Sequence, residues 1–288
     1  MIDQILRQVK ENKKYKTIAD AVVITEIKKY LNSQQIKNFE EITKEDIKKI
    51  RSKLHKAYSS FQTKKKNKRD LYLEDLRGLL DIKNPSSKES NKINEINNNL
   101  LSITLSTKER LNSYNKIYKQ IFEITGTPDS IIDLGCGLNP LSYPLIELDN
   151  MKSITYLAYD IDEEDTKFLN EYFKIMKKQN NNFKGKADIL DIRDLDKIKR
   201  LPRSDIIFLF KVIDILNQSE KDYKFSEELI KNLIKKTKSL IVSFPTKTIT
   251  RKQMNYPNRK WFELMLERND LIFQTIEIEN EIFYVIKM

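Results

Sequence analysis

The chain is poor in the residues that many chemistries need. Its 288 residues include one cysteine, one histidine and one tryptophan, with only five glycines and seven prolines. A lone cysteine, Cys136, excludes an internal disulfide framework and fits a reducing compartment. Cys136 and His55 are too few for a Cys/His zinc site, so no metal is expected. A Ser-His-Asp triad would have to use His55, which lies in a basic helical stretch, a poor setting for it. There is no run of about eighteen apolar residues, so no membrane span is expected. The N-terminal MIDQILRQVKENKK has no apolar stretch followed by small residues. A secretory leader is therefore not expected, and a cytoplasmic location is.

What the chain has in abundance is lysine. Its 53 Lys+Arg exceed its 42 Asp+Glu, a net charge of +11. Residues 1–100 hold 23 basic and 14 acidic residues, whereas residues 101–288 hold 30 and 28, so most of the excess is N-terminal. Such a skew suggests contact with a polyanion. A lysine-favouring genome would explain much of the lysine, but less well its uneven distribution.

Residues 1–82 carry apolar positions at helical spacing, among them Ile2, Ile5, Leu6 and Val9, then Val22, Ile27, Tyr30 and Leu31. Thr43, followed by Glu45 and Asp46, marks a helix start with Ile47, Ile50 and Leu54 on its apolar face. The run KKKNKR (64–69) reads as an exposed loop or a phosphate contact. The stretch 83–100, rich in Asn and Ser, reads as a polar linker. From residue 101 onward a second domain is expected. Short β-rich runs (131–134, 154–159, 206–210 and 240–244) alternate with helical stretches at 163–179 and 219–237, the mark of a parallel sheet with crossover helices. LIFQTIEI (271–278) and EIFYVIK (281–287), separated by Glu279 and Asn280, predict an antiparallel hairpin at the end. This is the α/β, Rossmann-like pattern of class I methyltransferases, preceded by an all-helical domain.

Two of the five glycines fall in IIDLGCGLNP (131–140). Gly135 and Gly137 let the backbone turn sharply after a strand and let a ligand come close; Pro140 suits the first turn of a following helix. A dinucleotide fingerprint needs G-x-G-x-x-G, and the third glycine is absent. Asp133 suits a cationic ligand end, such as an amino-acid ammonium. Asp160, closing TYLAYD, suits a ribose diol, and Asp188, in KADIL, with Ile189 beside it, suits an adenine amino group. Together they describe S-adenosylmethionine (SAM) better than NAD. Cys136 supplies only a small side chain, and a role as a methyl-carrying nucleophile is rejected.

Four stretches in order, LSTKERL (105–111), DLGCGLNPL (133–141), FLFKVIDIL (208–216) and VSFPT (242–246), resemble the 16S ribosomal RNA guanine-N7 methyltransferases that confer aminoglycoside resistance. The aromatic-rich NYPNRKWFE (255–263), EIFYVIK and, more weakly, NKKYK (12–16) and KLHKAY (53–58) extend the likeness over most of the chain. The resemblance implies a SAM-binding domain and a helical domain that docks on the 30S subunit. It implies Arg110 against the cofactor carboxylate, and it carries the turn residues Asp133, Gly135, Cys136, Gly137 and Pro140, the ribose acid Asp160 and the adenine-side Asp188. After VSFPT the chain has KTITRKQMNYP, where the resistance enzymes tend to be glycine-rich.

Guanine N7 has a free lone pair and no proton, so transfer to it needs positioning rather than a general base, and no catalytic residue is expected. Candidate RNA contacts are Lys64, Lys65 and Lys66, and, for the target base, Lys211, Arg251, Lys252, Asn255, Tyr256, Trp261 and Phe262. Trp261 and Phe262 fit core packing equally well, and Lys211 fits a surface lysine. The expected partner is 16S rRNA in the 30S particle, met by a monomer. A methyltransferase of another RNA, such as transfer RNA, and a ribosome-binding factor without catalysis remain open.

Overall fold

The structure, a computed structural model, describes residues 1–58, 68–80, 82, 86–146, 153–220, 223–247 and 259–287. It begins with three helices: α1 (Ile2–Lys10), α2 (Asp20–Gln34) and α3 (Lys44–Tyr58). Their periodic apolar residues close into one cluster that includes Ile5, Val9, Val23, Ile27, Ile50 and Leu54. Thr43 starts α3 as its spacing predicts. Its hydroxyl accepts from the Asp46 N–H, and its own N–H donates to the Asp46 carboxylate.

The next two helices pack elsewhere. In α4 (Arg69–Leu80) and α5 (Ser87–Leu101), Leu73, Leu76, Ile96, Leu100 and Leu101 pack into the core beneath the sheet, not into the N-terminal cluster. The stretch 83–100, expected to be a linker, is therefore mostly helix. Ser86 and Glu89 form a reciprocal capping box at its start, and Ile93, Ile96, Leu100 and Leu101 form its buried stripe. The helical residues of the separate N-terminal cluster come from α1–α3 and the turn between α1 and α2. Arg69, the last residue of the basic run, is not exposed either. It is buried against α8 (Glu163–Gln179), 2.6 Å from Asp165 and 2.9 Å from Glu164.

After the short α6 (Leu105–Arg110) and α7 (Tyr114–Thr125), the chain alternates β1 (Ser130–Leu134), β2 (Ile154–Asp160), α8, β3 (Phe183–Ile189), α9 (Leu195–Lys199), β4 (Ser204–Phe210), α10 (Ile213–Glu220), α11 (Lys224–Ile234) and β5 (Thr237–Pro245). It ends with α12 (Lys260–Arg268), β6 (Ile272–Ile278) and β7 (Glu281–Lys287). The strand order is β3-β2-β1-β4-β5-β7-β6, parallel except for β7, which runs antiparallel to both β5 and β6. The expected hairpin is β6–β7. The expected helix at 219–237 is instead two helices followed by the start of β5. Side chains alternate across the sheet: Ile206, Phe208 and Phe210 enter one core, and Ile207 and Leu209 the other. Connections leave β1 and β4 in opposite directions, so a crevice opens at their carboxyl ends.

One expected element differs in kind. Residues Asn139–Leu145 form a 3-10 stretch, not an α-helix. Pro140 starts it as expected. Pro144, four residues on, has no N–H to bond the Pro140 carbonyl, so an α-helical turn cannot form there.

Candidate cofactor site

The turn after β1 is built by its glycines. Gly135 has φ +61° and Gly137 φ +48°. A Cβ on Gly135 would also lie 2.9 Å from Val212 Cγ2, whereas nothing lies within 4 Å of one built on Gly137. Backbone and space both demand glycine at the first position; at the second, the backbone demands it and the space is left open.

Behind the turn lies a buried polar chain. Asn139 donates to Asp133 (2.9 Å) and accepts from Tyr114 (3.0 Å) and Arg110 (3.3 Å). Tyr156 donates to the same Asp133 oxygen at 2.8 Å. Arg110 pairs in two-pronged fashion with Glu281, 2.9 Å on each arm. Lys211 joins Glu281 (3.1 Å) to Glu109 (2.8 Å). Burial would raise the Glu281 carboxyl, but the charges of Arg110 and Lys211 overcome it and hold the group below its usual range. Asp133 behaves in the opposite way. Burial pushes it up to about 6, because its donors Asn139 and Tyr156 are neutral and offset only part of the desolvation. Burial also raises Asp160, against bonds from the N–H groups of Gly137 (2.8 Å), Ile161 and Asp162. Cys136 is buried and its thiol is pushed well up, which suits a packing residue and not a nucleophile.

These groups face a cleft of about 1230 Å³, its open mouth included. The cleft is lined by Gly135–Gly137 and Asn139, by Asp160–Asp162 after β2, by Leu190–Ile192 after β3, and by Phe210–Val212 after β4. Of the expected cofactor residues, Arg110, Asp133, Gly135, Cys136, Gly137 and Asp160 are brought together in this lining. Pro140 is buried just behind it. Asp188 and Ile189 are not in it. Asp188 is exposed and paired with Lys186 at 2.9 Å, and Ile189 packs on the N-terminal cluster. Three residues on, Asp191 takes the place at the cleft wall, with Arg193 bonded to it at 2.8 Å. The repeat in DILDI offers two acids, Asp188 inside β3 and Asp191 just beyond its end, and spacing alone cannot rank them.

Lys211 is no surface lysine: it is buried at φ +58° and lines the cleft. Trp261 is half-buried and stacks on Tyr223 with ring centroids 4.2 Å apart, while Phe262 is fully buried. Lys64, Lys65, Lys66, Arg251, Lys252, Asn255 and Tyr256 lie outside the described residues. Glu281, Asn139, Tyr156 and Ile18 were missed by sequence reasoning. Glu281 lies 171 residues from Arg110, and no local pattern links them.

The parallel sheet with its antiparallel end and the glycine turn at its switch point define a class I methyltransferase fold. A structure of the 16S rRNA methyltransferase RmtF in complex with S-adenosyl-L-homocysteine shares it with a TM-score of 0.70 and 20% identity, over 99% of this chain and 97% of that one. The 16S rRNA methylase ArmA matches 71% of this chain and 99% of its own, at 28% identity and a TM-score of 0.51. The chain belongs to the FmrO ribosomal RNA methyltransferase family, whose profile matches residues 12–285. Among curated relatives, the 16S rRNA (guanine(1405)-N(7))-methyltransferase of Proteus mirabilis is 27% identical over 99% of this chain and 96% of its own length. The enzyme of the same name from Micromonospora rosea is 24% identical over the same shares.

Proposed function

We propose that this chain is a SAM-dependent methyltransferase that modifies guanine N7 in 16S ribosomal RNA within the 30S particle. The observation that carries the reading is the family match across residues 12–285, which spans both the N-terminal helices and the cleft. The cleft chemistry fits the cofactor. Asp133, a buried carboxylate held by neutral donors, suits an ammonium. Arg110, beside Asn139, suits a carboxylate. Asp160 is oriented by three backbone N–H groups and can accept from a ribose diol. Leu190, Ile192, Val212 and Leu216 offer an apolar wall for a purine, and Asp191 stands beside them in place of Asp188. When bound, SAM supplies an electrophilic methyl group on a sulfonium.

The chain's own task is to bind and orient. Guanine N7 carries no proton, so no residue has to remove one, and catalysis rests on holding the two reactants in line. A base in folded RNA must first be unstacked to reach the cleft. Trp261 with Tyr223, at the end of the sheet where the cleft opens, is suited to stack on it; Arg251, Lys252 and Tyr256 belong to the same reading. Among the described residues no helix is long and apolar enough to cross a membrane. The reading includes a monomer in the cytoplasm that uses no metal.

The test incubates the protein with radiolabelled SAM and, separately, 30S particles, naked 16S RNA and transfer RNA. N7-methylguanine is then mapped by borohydride and aniline cleavage. Label in the 30S particle with one cleavage site in 16S RNA is the expected result. Label confined to transfer RNA, or none at all, overturns it.

A further inference from the structure

The N-terminal helices meet the sheet unit where α3 packs on α10 and, at the rim of the cleft, through the segment that enters α2. The Ala19 N–H donates to the Ile161 carbonyl at 2.9 Å, and the Glu163 N–H donates to the Thr17 carbonyl at 2.8 Å. These bonds flank an antiparallel bridge between Ile18 and Asp162. The Thr17 hydroxyl donates to Asp162 Oδ2 at 2.7 Å. The other Asp162 oxygen caps α8, accepting from the N–H groups of Glu164 and Asp165. Ile18 itself lines the cleft.

A second tie reaches the neighbouring wall. Arg193 is buried between Glu26 of α2 (3.0 Å) and Asp191 (2.8 Å), and Asp191 lines the cleft. Apolar contacts follow the same route: Ile161 and Ile189, at the carboxyl ends of β2 and β3, pack on the N-terminal cluster. The residues that follow the ribose acid are thus pinned from the N-terminal side.

We infer that Thr17 is a positioning residue for the cofactor, acting through Asp162 to fix the turn that carries Asp160, and that Ile18 is a cleft wall lent by the N-terminal unit. The inference rests on the SAM reading above. It has a consequence for the reaction: the unit expected to dock on RNA also holds one side of the cofactor site, so cofactor binding and RNA docking act on a shared element.

The test measures S-adenosylhomocysteine binding by calorimetry on the full chain, as wild type, Thr17→Val and Thr17→Ser. Thr17→Val keeps the side-chain shape and removes the hydroxyl. It should weaken binding about tenfold, the scale of one hydrogen bond to a charged group. Thr17→Ser should restore wild-type affinity. In turnover assays the Val variant should raise KM for SAM and leave kcat close to wild type. Equal affinity of Val and wild type, or a Ser variant as weak as Val, overturns the inference while leaving the SAM reading intact. A wild-type chain that fails to bind overturns both. Hydrogen exchange on the wild-type chain tests the same point without a substitution. Saturating S-adenosylhomocysteine should slow exchange at the Ala19 and Glu163 amides, and unchanged rates there overturn the inference.

Discussion

The N-terminal helical unit and the sheet unit use charge in opposite ways. In the first, lysines such as Lys13, Lys14, Lys28, Lys29, Lys48 and Lys49 are exposed on helix surfaces. In the second, Arg69, Arg110, Lys211 and Arg259 are buried and each is tied to a carboxylate: Asp165, Glu281, Glu109 or Asp214. An exposed lysine acts at long range, is screened by salt and contributes little to stability. A buried ion pair is local, insensitive to salt, and damaging when one partner is removed. The same residue types are therefore solvent-exposed in one region and part of the site's architecture in the other. The net charge of each half does not reveal this; burial does.

The difference can be broken most forcefully at Arg110. Arg110→Ala leaves Glu281 buried with Lys211 as its remaining cation and the Ser243 hydroxyl beside it, so a loss of roughly 3–5 kcal/mol in denaturant-measured stability is expected, together with loss of cofactor binding. Asp160→Ala should come next, weakening S-adenosylhomocysteine binding about tenfold to a hundredfold in calorimetry, with less effect on stability.

Asp133 gives a graded test through pH. Its carboxyl is raised to about 6, so it ionises later in the folded protein than in the unfolded chain. Between the ordinary carboxylate range and that point the folded state binds more protons, so this group's contribution to stability falls as pH rises. Cofactor affinity should move the opposite way, since the ammonium end needs the ionised form. It should drop as pH falls through about 6, with the drop abolished in Asp133→Asn.

Replacing Lys64, Lys65 and Lys66 by alanine tests the other region. RNA affinity should fall, and the slope of log affinity against log salt should shrink by about 0.7–0.9 for each lysine that contacts a phosphate, with cofactor affinity unchanged. The smallest effect is expected at Asp188. Asp188→Ala removes an exposed pair worth about 0–1 kcal/mol and should leave cofactor affinity within about twofold of wild type, whereas Asp191→Ala should weaken it.

Much of this was legible in the sequence because the signals were local. The central strands announce themselves as apolar runs, and the hairpin as two runs around Glu279 and Asn280. β3 was not legible. Its inner face uses Gly185 and Ala187 because α8 lays the Phe173 ring against it; a Cβ on Gly185 would lie 2.5 Å from Phe173 Cγ. Small residues forced by a neighbour's ring erase the apolar alternation. α5 was hidden by its Asn-rich exposed face, although its cap and its Ile96, Leu100 and Leu101 stripe were both present in the sequence. At the site, Asp133, Gly135, Gly137 and Asp160 followed from strand-end chemistry. Glu281 and Ile18 did not, because Ile18 reaches the cleft, and Glu281 the buried Arg110 and Lys211 behind it, from distant parts of the chain.

The position of Glu281 also sets an order of events during synthesis. The counter-charge for Arg110 and Lys211 is the first residue of β7, the last strand in the chain, which must slot between β5 and β6. Chains emerge from the ribosome N-terminus first. Until β7 is in place, Arg110 lacks its carboxylate partner and Lys211 keeps only Glu109. The carboxylate that fixes Arg110 in the cleft wall therefore arrives with the strand that completes the sheet.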